Sequence, residues 1–199
     1  MATLFPILII LFSIVIHEVA HGYAAYLLGD ETAYRAGRLT LNPIPHIDLI
    51  GSIIVPLLSF TTAGTFLGWA KPVPVNIYNL RGKYSEAIVS GAGVFANIML
   101  AFICGILFKF FALQGTMTDA LSTALFTVIG VNISLAFFNL IPIPPFDGMA
   151  ILQGLFPRMR MITSFMYNPV YLILAIIVAS SLYSAFIPHV FKIVIAWLG

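Results

Sequence analysis

Leu11-Phe12-Ser13-Ile14-Val15-Ile16-His17-Glu18-Val19-Ala20-His21-Gly22-Tyr23-Ala24-Ala25 decides how this chain is read. The residues around it, from Leu4 to Leu28, are nearly all apolar and long enough as a helix to cross the roughly 30 Å hydrocarbon layer of a bilayer. His17 and His21 are four apart, so a helix sets both imidazoles on one face, where their nitrogens can hold one zinc ion with Glu18 beside them as a general base. Polar groups at that depth cost about 2.5–3.5 kcal/mol for a central charge, so they do not read as ordinary side chains facing water. Helix-to-helix hydrogen bonding within a bundle is the structural alternative.

The rest of the composition agrees with a membrane setting. Of 199 residues 61% are hydrophobic and 8% charged, and the mean hydropathy is +1.06. A soluble domain carries about 25% charged residues. The net charge of +2 gives no reason to expect nucleic acid as a partner, and the single cysteine, Cys104, rules out an internal disulfide or a cysteine-built zinc site. The first apolar run has no basic start and no small-residue cleavage site, so it reads as a retained helix.

Hydropathy predicts an all-α polytopic membrane protein, one domain over 1–199, with four to five transmembrane helices. They are expected at about 4–28, 85–111, 121–157 (broken at 142–145) and 170–198, with Pro188-His189 bending the last. The stretch 49–67 holds Pro56 and Gly64 and is expected to re-enter rather than span. Two segments, 34–41 and 70–75, read as short membrane-associated strands, the second kept from helix by Pro72 and Pro74. Counting Lys and Arg favours re-entry. A spanning 49–67 divides them five against four, whereas a returning one gives seven against two and puts the crowded side in the cytoplasm.

Two histidines leave a catalytic zinc site one protein ligand short. Asp30, Glu31, Asp48, Glu86 and Asp119 lie in or beside polar connections, where a solvated charge is the ordinary reading. Asp147 follows the break Pro142-Ile143-Pro144-Pro145 inside an apolar region. It is either the third ligand, since a buried carboxylate needs a partner, or the N-cap of a helix over 148–156. His46 and His189 read as interfacial histidines, and Trp69 and Trp197 as interface aromatics.

At these residues the chain resembles the site-2 protease family of intramembrane zinc metalloproteases, in its compact branch without a PDZ domain. His17-Glu18-Val19-Ala20-His21 and Asn139-x-x-Pro142-x-Pro144-x-x-Asp147-Gly148 carry the likeness. Residues 37–43, 68–76 and the glycine-rich 91–97 extend it, with Val94 where the family usually has proline. The resemblance implies one Zn2+ held by His17, His21 and Asp147, Glu18 as the catalytic acid/base, and Asn139 near the substrate or oxyanion. Asn139 otherwise caps the broken helix end. It also implies membrane-protein or peptide substrates cleaved within the bilayer, in regulated proteolysis or clearance of signal-peptide remnants, in a bacterial plasma membrane with the site nearer the cytoplasm. A divalent-metal transporter and an inactive protein that retains membrane clients are the alternatives. A transporter would need ligands along a continuous path.

Overall fold

The computed structural model describes residues 4–54, 61, 70–159 and 169–199. Four long apolar helices fit a membrane crossing: α1 (Leu4–Leu27), α3 (Ser85–Leu113), α4 (Asp119–Leu140) and α6 (Pro169–Leu198). Two short helices join them, α2 (Thr32–Arg35) and α5 (Asp147–Leu155). The chain is an integral membrane protein by this architecture. Phe95, Phe102 and Phe110 on α3 and Ile173 and Ile177 on α6 are exposed, as side chains facing lipid are.

Each boundary has a local cause. α1 stops at Gly29, whose φ of +103° turns the chain so that the Asp30 N–H reaches the Ala25 carbonyl. The Thr118 side chain accepts from the Leu121 N–H and starts α4, and Pro142 prevents its continuation. α3 runs without interruption through Val94, the position where the resemblance expects proline. α6 likewise continues through Pro188, so the expected bend does not divide it.

α3 is the central helix, packed against α1, α4, α5 and α6. Its direction is opposite to that of α1, since His17 meets Asn97 while His21 meets Val89. α1 and α4 run together: Ser13 meets Asn132, and His17 and His21 meet Asp147. One end of the bundle is closed by an apolar cluster of Cys104, Leu125, Ile129 and Leu198. Trp197 lies across Gly105 and stacks on Phe102, packing the end of α6 onto α3.

The connection from α1 to α3 returns to the side it left. The Arg81 N–H donates to the Leu28 carbonyl at 2.8 Å, so the residues just before α3 sit against the end of α1. Most of 49–67 lies outside the described residues, and of it Ile50–Ile54 forms one π-helical turn.

Neither expected strand forms, and among the described residues there is none. At 34–41 the Asp30 carboxylate binds the Thr32 N–H and seeds α2 instead, and Gly37 (φ +65°) turns the chain out of it. Residues 70–76 are extended, but apart from Lys71 N–H, which donates to the His46 carbonyl, the polar groups described bond to side chains. Val73 N–H meets Glu18, Asn76 N–H meets Asp30, and the Lys71 carbonyl meets Arg38, while Pro72 and Pro74 have no ladder donor to give. Asp30, expected to be solvated, is completely buried. Its carboxylate accepts from Thr32 N–H (3.1 Å), Thr32 Oγ1 (2.5 Å), Asn79 Nδ2 (2.9 Å) and Asn76 N–H (2.7 Å).

Candidate metal centre

His17 and His21 lie on the face of α1 turned to α3, one turn apart. The contact is tight because α3 carries Gly93 there. A Cβ at that position would stand 2.5 Å from His21 Nε2 and 2.6 Å from His17 Cε1. Within the glycine-rich 91–97, Gly93 is the residue that admits the histidines.

Each imidazole is held from behind by its Nδ1. His21 Nδ1 lies 2.7 Å from the Val89 carbonyl oxygen, and His17 Nδ1 lies 2.6 Å from Asn97 Oδ1. A carbonyl oxygen only accepts, so both Nδ1 atoms carry a proton, and in the neutral imidazoles both Nε2 atoms then present bare lone pairs. The two Nε2 atoms face each other at 3.0 Å.

The third group arrives from 126 residues beyond His21. Asp147 is the first residue of α5, while Phe146 occupies the N-cap position without a side-chain cap, so the carboxylate does not serve as the helix cap. Asp147 Oδ2 lies 3.0 Å from His17 Nε2 and 3.3 Å from His21 Nε2, and receives no hydrogen bond although buried. Three acceptors with no proton among them repel one another unless a cation lies between. Ligand atoms at about 2.0–2.1 Å around a tetrahedral ion stand about 3.3 Å apart, close to this spacing. His17, His21 and Asp147 are thus a group able to hold a metal ion.

Glu18 is partly buried on the adjoining flank of α1, and its Oε2 accepts from the Val73 N–H at 2.7 Å. The extended 70–76 run therefore borders the site.

Residues 110–182 match peptidase family M50. YwhC of Bacillus subtilis (strain 168), provisionally named a zinc metalloprotease, is 41% identical over 163 residues, 78% of this chain and 71% of YwhC. The chain belongs to peptidase family M50. A second relative of this M50 chain is Rip2 of Mycolicibacterium smegmatis, with the same provisional naming, 30% identical over 148 residues, 72% of this chain and 54% of Rip2. Rip2 of Mycobacterium tuberculosis (strain H37Rv) is 26% identical over 154 residues, 75% of this chain and 55% of that protein. The M50 chain spans about half the length of these two mycobacterial relatives. No solved structure matches it. A zinc metalloprotease family and a three-ligand cluster agree on Zn2+ as the cofactor.

Asn139 of this M50 chain lies one turn before the break, and its Nδ2 donates to the Leu135 carbonyl at 3.1 Å, as a helix-end residue does. His46 is buried rather than interfacial, with Nε2 3.0 Å from the Thr40 carbonyl oxygen. Sequence reading overlooked Asn97 and Asn132. Both are completely buried in apolar helices, and an amide inside a membrane span is itself a signal of a functional or packing role.

Proposed function

We propose that this protein is an intramembrane zinc metalloprotease that hydrolyses peptide bonds within or near the membrane-spanning segments of other proteins. The observation that carries the reading is the convergence of His17 Nε2, His21 Nε2 and Asp147 Oδ2 within 3.3 Å beside Glu18, on a helix fit to cross the bilayer. His17, His21 and Asp147 hold the ion in this reading. A zinc ion held there would supply a water acidified to a pKa near 7 and would polarise the scissile carbonyl.

Glu18 takes the water's proton and later gives it to the leaving amine. The Val73 N–H fixes the carboxylate for both transfers and leaves its other oxygen to face the reaction. Asn139, at the mouth of the proline break, is assigned to the substrate side, with its amide free to exchange Leu135 for a substrate carbonyl. A helical substrate hides its peptide groups in its own hydrogen bonds, so the segment cut must first unwind. The extended 70–76 run is the surface along which it would lie.

The return of the chain between Leu28 and Arg81 supports a cytoplasmic placement of this end. Arg35, Arg38, Lys71, Arg81, Lys83 and Arg158 flank the bundle there, against Lys109 and Lys192 towards the other end. The positive-inside rule assigns the basic side to the cytoplasm of a bacterial plasma membrane.

The test is cleavage of single-span reporter proteins co-reconstituted with the purified protein. Cleavage inside the reporter span is expected for wild type and lost in Glu18→Gln with bound zinc retained. Equal cleavage in Glu18→Gln would refute the assignment, and zinc flux without cleavage would point to transport.

A further inference from the structure

Three polar side chains lie in the apolar interior beyond the metal-binding group: Ser13 on α1, Asn97 on α3 and Asn132 on α4, each 1% exposed or less. Hydrogen bonds run through them to His17. We infer that Asn97 and Asn132 are positioning residues that hold His17 in the tautomer able to bind zinc through Nε2. The inference rests on the zinc-site reading above.

The Val128 carbonyl, one turn before Asn132 on α4, can only accept, and Asn132 Nδ2 lies 2.9 Å from it. Asn132 must therefore turn its NH2 that way and its Oδ1 the other way. That oxygen lies 2.7 Å from Asn97 Nδ2, so Asn97 must in turn present its NH2 to Asn132. What remains for His17 is Asn97 Oδ1, 2.6 Å from Nδ1. An amide oxygen has no proton to give. Nδ1 must carry the hydrogen, and a neutral imidazole with its proton on Nδ1 has a bare Nε2.

Flipping either amide sets two NH2 groups or two carbonyls face to face between completely buried side chains, so the direction of the relay is locked. His21 receives the same instruction in one step from the Val89 carbonyl. Both histidines are therefore set by backbone oxygens, one directly and one through two asparagines across three helices. Ser13 Oγ, 2.9 Å from Asn132 Nδ2, is a rotor that adapts to either role and imposes no direction.

The test uses purified full-length protein and two readouts. One is the zinc dissociation constant by competition with a chromophoric chelator, and the other is the His17 tautomer in metal-free protein from 15N-histidine NMR. Asn97→Leu is expected to weaken zinc about 10–100-fold, the range for loss of a group that orients a ligand. Asn132→Leu, although it touches no ligand, is expected to weaken zinc about tenfold and to mix the His17 tautomers. In the Asn97→Leu background its effect should vanish, because it acts through Asn97.

Zinc affinity within twofold of wild type in Asn132→Leu, with the tautomer unchanged, would overturn the inference. So would an equal loss in Ser13→Ala, which leaves the Val128 bond intact and tests for packing alone. Failure of wild type to bind zinc would refute the zinc-site reading instead, and the metal-free tautomer would still decide the relay.

Discussion

Two glycines two residues apart on α3 give a sharp test of how the histidines are seated. A Cβ at Gly93 would stand 2.5 Å from His21 Nε2, 2.6 Å from His17 Cε1 and 2.7 Å from His17 Nδ1. Ordinary contact needs about 3.5 Å, so Gly93→Ala must drive the rings back by about 1 Å. That movement stretches the Nδ1 bonds at 2.6 and 2.7 Å to about 3.6 Å, beyond hydrogen bonding. Metal sites tolerate ligand shifts of about 0.2 Å, and we expect zinc affinity to fall at least about 100-fold. Overpacking costs about 1–3 kcal/mol, but alanine regains about 1 kcal/mol of helix propensity over glycine, so the variant should still fold. At Gly91 the same Cβ meets only Ile151 Cδ1, at 4.0 Å. Gly91→Ala should therefore bind zinc as wild type does and melt slightly higher. Zinc titration and thermal unfolding of both variants in one detergent check the pair. Wild-type affinity in Gly93→Ala, or equal losses in the two, would refute this account of the helix contact.

The link between Val73 and Glu18 predicts that Val73→Pro, which deletes the N–H, lowers kcat about tenfold or more, while Val73→Ala, which keeps it, costs much less; reporter cleavage measures both. Equal losses would assign the effect to packing. Asp30→Asn turns one accepting oxygen into a donor facing either Asn76 N–H or the Thr32 and Asn79 donors, and should destabilise by about 1.5–3 kcal/mol in thermal or denaturant unfolding. Burial raises the Asp30 pKa, but the bonds from Thr32, Asn79 and Asn76 outweigh it and hold it below the ordinary 3.8. A lowered native pKa stabilises the fold at pH values above 3.8, and the benefit disappears as pH falls through the native value. Amide exchange around Asn76 should quicken below that pH in wild type and change less in Asp30→Asn.

Periodicity and length made the four long helices legible, because a 20-residue apolar run has few other outcomes in a bilayer. His17, Glu18 and His21 were legible for a related reason: polar groups in such a run must have partners. Asp147 stood out through the prolines before it, and the structure brings it to the histidines across a break that composition alone reveals. What escaped was pairing between distant segments. Asp30 looked solvated because its neighbours are polar, yet its partners Asn76 and Asn79 come from almost fifty residues away. The strand pattern at 34–41 was equally local, and a carboxylate two residues before Thr32 overrode it. Asn97 and Asn132 were visible as amides in apolar helices, but their order and direction depend on which carbonyl each one faces.

The direct contacts that seat both histidines, and the close packing of α5, meet on α3. Gly93 receives the histidines, Val89 and Asn97 hold their Nδ1 atoms, and at Ala87 the backbone of α3 meets Gly154 of α5, the helix that begins with Asp147. A bilayer that thickens or thins makes helices tilt, and separately anchored ligands would shear apart as it did. With one helix as common datum, His17, His21 and Asp147 would tilt as a body.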